Sequence, residues 1–247
     1  MTKIDLDEQI DNQTSTEEEY FDIRIPFPVC FWLFLISLFP SVACYIFLLF
    51  HLLFDRTLRR TLSNHTIIVL LIVNFIYIVT DIPLYLSFFH HSGHVIPSTP
   101  AICLFWLFID EVLFSVSLFL IAWASVERYI LIFHNQWVST SRKRLLVHYC
   151  PLAFLLIFLL VFFLFTVVFP PCENDFDYDV PVCGFPVCYY NVRFFAVWDA
   201  VFHDIFPIFV IVVFNLTLFF RVILKKRRLA RQIEWRKYRK MSIQLLA

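Results

Sequence analysis

Several ionisable side chains lie inside apolar stretches of this sequence, where a charge needs an explanation. Asp81, Asp110 and Asp199 are each flanked by hydrophobic residues, and His203 follows Asp199 by one helical turn. A carboxylate in such a place requires a partner, water or a ligand, so it is by default a candidate functional group. The three acids predict a pocket for a cationic ligand, such as an amine or a basic peptide. The alternative is that they pair with His203, Arg193 or water and only hold helices together.

A second group of charges lies at the end of one apolar run. The stretch AWASVERYILIF, residues 122–133, places Glu127 and Arg128 side by side, followed by Tyr129. A guanidinium in a low-dielectric site needs partners, and an exchange of partners makes a two-state element. The plainer interpretation is an ion pair at the membrane edge whose side chains reach water.

The composition predicts the elements that must position these groups. Hydrophobic residues make up 60% of the chain and charged residues only 16%, against roughly a quarter charged in soluble domains. Five apolar stretches reach the roughly 20 residues that a membrane helix needs, and they lack the alternation of barrel strands. We therefore predict an all-α membrane protein with helices at about 27–54, 66–89, 101–133, 145–169 and 194–224.

The distribution of basic residues predicts how the chain crosses the membrane. Short basic clusters follow the first and third stretches, and half of all lysines and arginines lie between Arg221 and Lys240. By the positive-inside rule these segments, including the basic segment 225–240, are cytoplasmic. The acidic tail 1–26 is then extracellular and carries a glycosylation sequon at Asn12. We expect a multi-pass protein of the plasma membrane with its N-terminus outside.

Cys103 and the Glu-Arg-Tyr triplet mark opposite ends of the third predicted helix. The 25 residues from Cys103 to Arg128 span about 37 Å as a helix, enough to join the two membrane faces. Together with Pro207 inside the fifth helix, this pattern resembles the rhodopsin-like G-protein-coupled receptors. Those receptors have an outer cysteine at the head of helix three and Asp or Glu, then Arg-Tyr, at its foot. The resemblance covers roughly residues 27–247.

The resemblance implies a switch at Glu127, Arg128 and Tyr129. In the family the arginine is held by its acidic neighbour at rest and turns toward a heterotrimeric G protein on activation. Glu127 is the acidic residue immediately available to Arg128 in this sequence. We therefore expect an ion pair between these two side chains.

The resemblance also implies a ligand site. In amine-binding family members, the Asp seven residues after the outer cysteine pairs with the ligand's ammonium, and Asp110 has that spacing. Asp199 and His203 occupy fifth-helix positions where family members often contact ligand, and Asp81 adds a carboxyl from the second helix. Two neighbouring acids are expected to point away from this pocket: Glu111 and Asp204.

One disulfide from Cys103 to the second outer loop is implied by the family pattern. That loop offers Cys172, Cys183 and Cys188, and an oxidising exterior permits the bond. Sequence leaves the choice open, with Cys183 preferred. A zinc site that combines loop cysteines with His90, His91 and His94 is the less favoured use of these thiols, so no metal is predicted.

The length of the chain qualifies the resemblance. A complete receptor of this kind has seven helices, whereas this sequence reaches only the start of a predicted sixth, at 241–247. The chain is then part of a seven-transmembrane bundle, as a fragment or truncated product of a receptor, or it is a natural five-helix protein. The first is preferred, and signalling by this chain alone is not expected.

Other functions have less support in the sequence. No Gly-rich phosphate loop, HExxH motif or catalytic triad is visible, so no enzyme, catalytic residue, cofactor or nucleic-acid partner is predicted. The basic segment 225–240 suits either a G protein or anionic membrane lipid. The main rival is a small cation or proton transporter whose path would use four residues: Asp81, Asp110, Asp199 and His203.

Overall fold

Five long helices make up most of the chain that the structure describes. This computed structural model describes residues 25–56, 62–133, 136, 140–170, 172, 174–184 and 188–245. Three helices are regular: α1 (Phe27–Phe54), α2 (Leu62–His90) and α3 (Pro100–Phe133). Two contain π-helical turns. Helix α4 consists of an α-helical turn, Ser141–Arg144, a π turn, Leu145–Tyr149, an α-helical segment, Cys150–Phe163, and a second π turn, Leu164–Val168. Helix α5 consists of an α-helical segment, Arg193–Asp199, a π turn, Ala200–Ile205, and a long α-helical segment, Phe206–Leu245.

Within these ranges, five helices are long and apolar enough to cross a membrane. Helix α1 has no buried residue, and large apolar side chains such as Trp32, Ile36 and Phe39 are exposed along it. Such a surface is stable only against lipid or another protein. The predicted class, an all-α membrane protein with five transmembrane helices, is confirmed.

Helix α3 lies at the centre of the bundle. It contacts α2, α4 and α5, and it supplies much of the buried core, including Trp106, Leu107 and Leu120. Hydrogen bonds also join α3 to its neighbours. Ser117 donates to Asn74 Oδ1 of α2 at 2.9 Å, and Asn215 of α5 donates to Ser125 at 3.2 Å. Any group on the inward face of α3 is therefore within reach of three other helices.

Prolines explain two of the π turns. A proline has no N–H to bond the carbonyl four residues earlier, and its ring crowds that carbonyl. In α5, the ring of Pro207 crowds the carbonyl of His203, and in α4, the ring of Pro151 crowds the carbonyl of Val147. Both carbonyls belong to residues of a π turn. A π turn widens the helix and changes the direction of its side chains. His148 and His203 both lie in such turns, and each is only 1% exposed.

Two disulfides define one end of the bundle, which we call the disulfide end. Cys103, at the start of α3, is bonded to Cys183, and Cys172 is bonded to Cys188. The α4–α5 connection thus lies over the ends of α2 and α3, where Tyr178 O also accepts a hydrogen bond from Val95 N at 2.9 Å. The opposite end, where α3 carries its charged pair, is called the Glu127 end.

The structure differs from the predicted organisation in one region. Helix α5 continues without a break to Leu245, across the predicted basic segment 225–240. The sixth helix expected at 241–247 is not separate within the residues described, because the helix-forming residues there simply extend α5. Residues 1–24 of the acidic tail, with the sequon at Asn12, lie outside the described residues.

Candidate functional site

A cavity of about 690 Å³ lies near the disulfide end, between α2, α3 and α5 and beneath the α4–α5 connection. Its wall combines carboxylates, hydroxyls and apolar groups, and none of the lysines and arginines that the structure describes lines it. The polar lining residues are Tyr77, Tyr85, Asp110, Glu111, Ser115, Tyr190, Asp199, His203 and Asp204. The size falls within the usual range for small-molecule sites, roughly 300–1,000 Å³.

Of the predicted ligand-binding carboxylates that line the cavity, Asp110 has the most available hydrogen-bonding capacity. It lies on α3, where it lines the cavity and accepts one hydrogen bond, from the Tyr77 hydroxyl to Oδ1 at 2.8 Å. In the described part of the chain no donor contacts its second oxygen. A carboxylate has about four acceptor positions, so most of its capacity remains for a ligand or water.

Asp199 also lines the cavity, but protein donors already surround it. His203 Nδ1 lies 2.6 Å from Oδ1, and the hydroxyls of Tyr189 and Tyr190 both donate to Oδ2. Asp199 is 3% exposed and His203 1%. A buried charge with this many partners holds its surroundings in place, so this pair forms part of the wall.

Tyr189 and Tyr190 belong to a 3₁₀ turn, Cys188–Asn191, in the connection before α5. Burial raises the pKa of both hydroxyls well above the usual range, and the nearby Asp199 carboxylate raises the pKa of each further. Both therefore remain protonated donors at neutral pH. The contacts of the two tyrosines with Asp199 thus hold the α4–α5 connection against the first turns of α5.

Asp81 lies outside the cavity wall. It is 1% exposed on α2, and Trp106 Nε1 of α3 donates to its Oδ1 at 2.8 Å. The pairing joins two helices next to the cavity. Of the three acids predicted to form one pocket, the structure places Asp110 and Asp199 on the cavity and Asp81 behind it.

Glu111 and Asp204 both line the cavity, so the expectation that they point elsewhere is wrong. Successive residues of an α-helix differ by about 100° in direction, and a wide cavity can contact both Asp110 and Glu111. Asp204 lies in the π turn of α5, which changes its direction relative to a regular helix. Neither acid has a hydrogen bond or ion pair with a described residue, so the cavity is more acidic than predicted.

The disulfide Cys103–Cys183 places the loop against this cavity. Pro181 and Val182 immediately precede Cys183 and form part of the wall. Val182 has φ +57°, a left-handed conformation that is rare for a β-branched residue and costs on the order of 1–3 kcal/mol. The surrounding contacts must maintain that conformation, and Val182 is accordingly buried.

At the Glu127 end, the expected ion pair between Glu127 and Arg128 is not present in the described structure. Glu127 is 5% exposed and Thr66 Oγ1 donates to its Oε2 at 2.6 Å. His148 Nδ1 lies 2.8 Å from Oε1, a close ionic contact without the alignment of a hydrogen bond. Arg128, one residue later and about 100° around the helix, is exposed.

Tyr129 takes part in a separate contact with α5. Its ring packs against Phe214 with centroids 5.5 Å apart, and the Arg221 guanidinium lies 5.1 Å from the Tyr129 centroid. Arg221 is also 5.0 Å from the ring of Phe133. These cation–π contacts join α3 to α5 beside the Glu-Arg pair.

The sequence pointed to Asp110 and Glu127 but not to the groups that contact them. Tyr77 lies 33 positions from Asp110 in the sequence. Thr66 lies 61 positions and His148 lies 21 positions from Glu127, so no local sequence pattern could connect these pairs. The signal present in the sequence was polarity within an apolar helix. In the described residues no group of three or more His, Cys, Asp or Glu side chains is arranged to hold a metal ion.

Fold and site together define a multi-pass helical membrane protein with a polar cavity near one end. The family model described as "7 transmembrane receptor (rhodopsin family)" matches residues 46–247, which is most of the chain. The chain belongs to this rhodopsin family of G-protein-coupled receptors, whose members are receptors rather than enzymes. No curated protein gives a significant match to the chain.

Proposed function

We propose that the chain forms the ligand-binding part of a plasma-membrane receptor for a cationic extracellular ligand, an amine or a basic peptide. Asp110 binds the ligand's cationic group, with Glu111 and Asp204 contributing further negative charge. At the other end, Glu127, Arg128 and Tyr129 couple the receptor to a heterotrimeric G protein. Family membership supports this receptor role over the transporter alternative.

The observation that carries the cationic assignment is the imbalance of charge in the cavity. Among the described residues, four acids line the cavity and no lysine or arginine does, and only Asp199 is saturated by protein donors. Carboxylates in a low-dielectric site require compensation, and an ammonium or guanidinium supplies both charge and hydrogen-bond donors. Asp110, which has one oxygen free of donors from the described residues, is the natural primary contact.

Asp199, His203 and Asp81 have supporting roles in this proposal. Asp199 and His203 hold the α4–α5 connection on the cavity through the two tyrosine hydroxyls. Asp81 holds α2 against α3 through Trp106. Their replacement should alter ligand affinity indirectly, through the shape of the cavity.

The charge distribution supports the orientation. Exposed acids, including Asp175 and Asp177, lie in the connection at the disulfide end, whereas the basic start of α4, Arg142–Arg144, lies at the Glu127 end. By the positive-inside rule, this distribution favours an orientation with the disulfide end and the N-terminus outside the cell. Disulfides also persist in the oxidising extracellular environment.

Arg128 supports the coupling assignment. It is exposed at the proposed cytoplasmic end, and no described carboxylate pairs with it. A guanidinium offers five donors in a fixed geometry, which suits recognition of carbonyl and carboxylate groups on a partner protein. The adjoining Tyr129–Arg221 contact brings a basic stretch of α5 to the same surface.

The cationic assignment is tested by thermal stabilisation of the full chain in nanodiscs at pH 7. Phenethylammonium should raise the melting temperature in a saturable manner, and its neutral analogue 2-phenylethanol should not. The substitution Asp110→Asn should weaken phenethylammonium binding roughly tenfold or more, because it removes a charge-assisted hydrogen bond.

The matched control is Asp175→Asn, which removes the same charge from an exposed position outside the cavity. It should leave the affinity for phenethylammonium unchanged. Equal stabilisation by 2-phenylethanol, or equal affinities of the Asp110→Asn variant and the unmodified chain, would contradict the assignment.

A further inference from the structure

Three helices meet at the carboxylate of Glu127. Thr66 comes from α2, Glu127 from α3 and His148 from α4, and their exposed fractions are 0%, 5% and 1%. The hydroxyl contacts one carboxylate oxygen at 2.6 Å and the imidazole approaches the other at 2.8 Å. Both oxygens of Glu127 are therefore occupied by residues other than Arg128.

The contact with His148 depends on the conformation of α4. His148 lies in the π turn Leu145–Tyr149, shortly before Pro151. The widened turn directs the imidazole into the bundle, where its ring lies 4.5 Å from the Tyr149 ring and 5.7 Å from the His65 ring. The Nδ1 atom facing Glu127 must carry a proton, because an imidazole lone pair in that position would repel the carboxylate.

We propose that Thr66 and His148 are positioning residues for the Glu-Arg-Tyr switch, which they control by competing with Arg128 for Glu127. In the state described here they hold the carboxylate, and Arg128 is left exposed to a cytoplasmic partner. Loss of either contact frees Glu127 to pair with Arg128, and the Arg128 guanidinium then moves away from the surface where a cytoplasmic partner would bind it. This mechanism rests on the proposed coupling role of Arg128, but the competition itself does not require a G protein.

The burial of Glu127 makes this competition effective. A buried carboxylate that loses one partner must find another, because leaving it unpaired costs more than the lost hydrogen bond alone. Arg128, the next residue in the chain, is the nearest cation in sequence. Removal of the His148 contact should therefore shift Arg128 toward Glu127.

The test measures how fast phenylglyoxal, an arginine-specific reagent, modifies Arg128 in the full chain in nanodiscs, with peptide-level mass spectrometry as the readout. His148→Ala should slow modification roughly threefold, the effect expected for capture in a partly exposed ion pair. Adding Glu127→Gln to that variant should restore the original rate, because the amide has no charge to attract Arg128.

Asparagine and glutamine at position 148 separate positioning from simple packing. The amide nitrogen of asparagine lies where Nδ1 of histidine lies, and that of glutamine lies nearer to Nε2. His148→Asn should therefore keep Arg128 reactive, whereas His148→Gln should resemble His148→Ala. A packing role would predict no such difference.

Two further variants keep the test decisive if His148→Ala fails to fold. Thr66→Val has nearly the same shape but lacks the hydroxyl, and it should also slow Arg128 modification. His65→Ala is the matched control, because His65 lies close to the His148 ring and has its Nδ1 3.1 Å from the Tyr149 hydroxyl. It should leave the rate unchanged.

The proposal is overturned if His148→Ala and Thr66→Val leave the Arg128 rate unchanged or increase it. It is equally overturned if Glu127→Gln fails to restore that rate. A normal reactivity pattern together with absent G-protein binding would instead contradict only the proposed coupling function. The two failures are thus distinguishable.

Discussion

The buried bond between Trp106 and Asp81 should be one of the stronger single contributions to stability. Trp106 and Asp81 are each 1% exposed, and the indole N–H donates to the carboxylate at 2.8 Å. Replacing Trp106 by Phe removes the donor but keeps an aromatic ring at this position. The carboxylate of Asp81 then remains buried without the indole donor, and the Tyr77 hydroxyl is the hydrogen-bonding group left near it.

Trp123 provides the control for the change in ring size. Its Nε1 is also buried, but it has no hydrogen-bond partner among the described residues. Trp123→Phe therefore removes an indole without breaking a hydrogen bond. The difference between the two variants isolates the Trp106–Asp81 bond, apart from local differences in packing.

The expected difference can be estimated from the charged character of the bond. A hydrogen bond to a charged group contributes about 1.5–3 kcal/mol, so Trp106→Phe should lower the free energy of unfolding by that much more than Trp123→Phe. At about 2–4 °C per kcal/mol for a chain of this size, the melting temperatures should differ by roughly 3–12 °C.

The assay is thermal denaturation of the full chain in detergent, followed by near-ultraviolet circular dichroism. Adding Asp81→Asn to Trp106→Phe should recover part of the loss, because a buried neutral amide that lacks the indole donor is less unfavourable than a buried charge that lacks it. Equal losses for the two tryptophan variants, or strictly additive effects of Trp106→Phe and Asp81→Asn, would refute this account of the bond.

Three further predictions follow from the cavity. Cys183→Ser should weaken phenethylammonium binding by releasing Val182 from the cavity wall, as measured by thermal stabilisation; an unchanged affinity would show that the loop is held without the disulfide. Asp199→Asn should lower the melting temperature more than Asp110→Asn, because only Asp199 has three protein donors; the reverse order would contradict the assigned roles. The raised pKa of Tyr189 means that the folded chain keeps this proton after the unfolded chain begins to lose it near pH 10, so stability should decline above that pH. Tyr189→Phe should make that decline shallower in melting curves from pH 9 to 11, and an equally steep decline would argue against the assignment.

The helices could be predicted from the sequence because hydropathy acts locally along the chain. The first predicted span, 27–54, coincides with Phe27–Phe54, and α3 begins within one residue of its prediction. The continuation of α5 to Leu245 was missed because charged residues that leave the membrane can still form helix. The π turns were also missed, although the prolines at 151 and 207 indicated local distortion of α4 and α5.

The candidate site was harder to predict because it depends on contacts between helices. Asp110 could be selected from its spacing to Cys103, and its place on the cavity follows from the inward face of α3. Glu111 and Asp204 were expected to point away from the pocket. The cavity is wide enough to contact Glu111 on the regular helix α3, and the π turn of α5 redirects Asp204. Similarly, adjacency in sequence suggested that Glu127 pairs with Arg128, whereas burial brings Thr66 and His148 to the carboxylate instead.

The location of the cationic site is tested most directly by photoaffinity labelling of the full chain with 4-azidophenethylammonium. Light should attach the probe to residues of the acidic cavity, such as Tyr77, Tyr190 or Ile208, and excess phenethylammonium should prevent this labelling. The chain also has an apolar groove between α4 and α5, lined by Phe154 and Phe165. Labelling confined to that groove, or labelling of the acidic cavity that excess phenethylammonium does not reduce, would contradict the account.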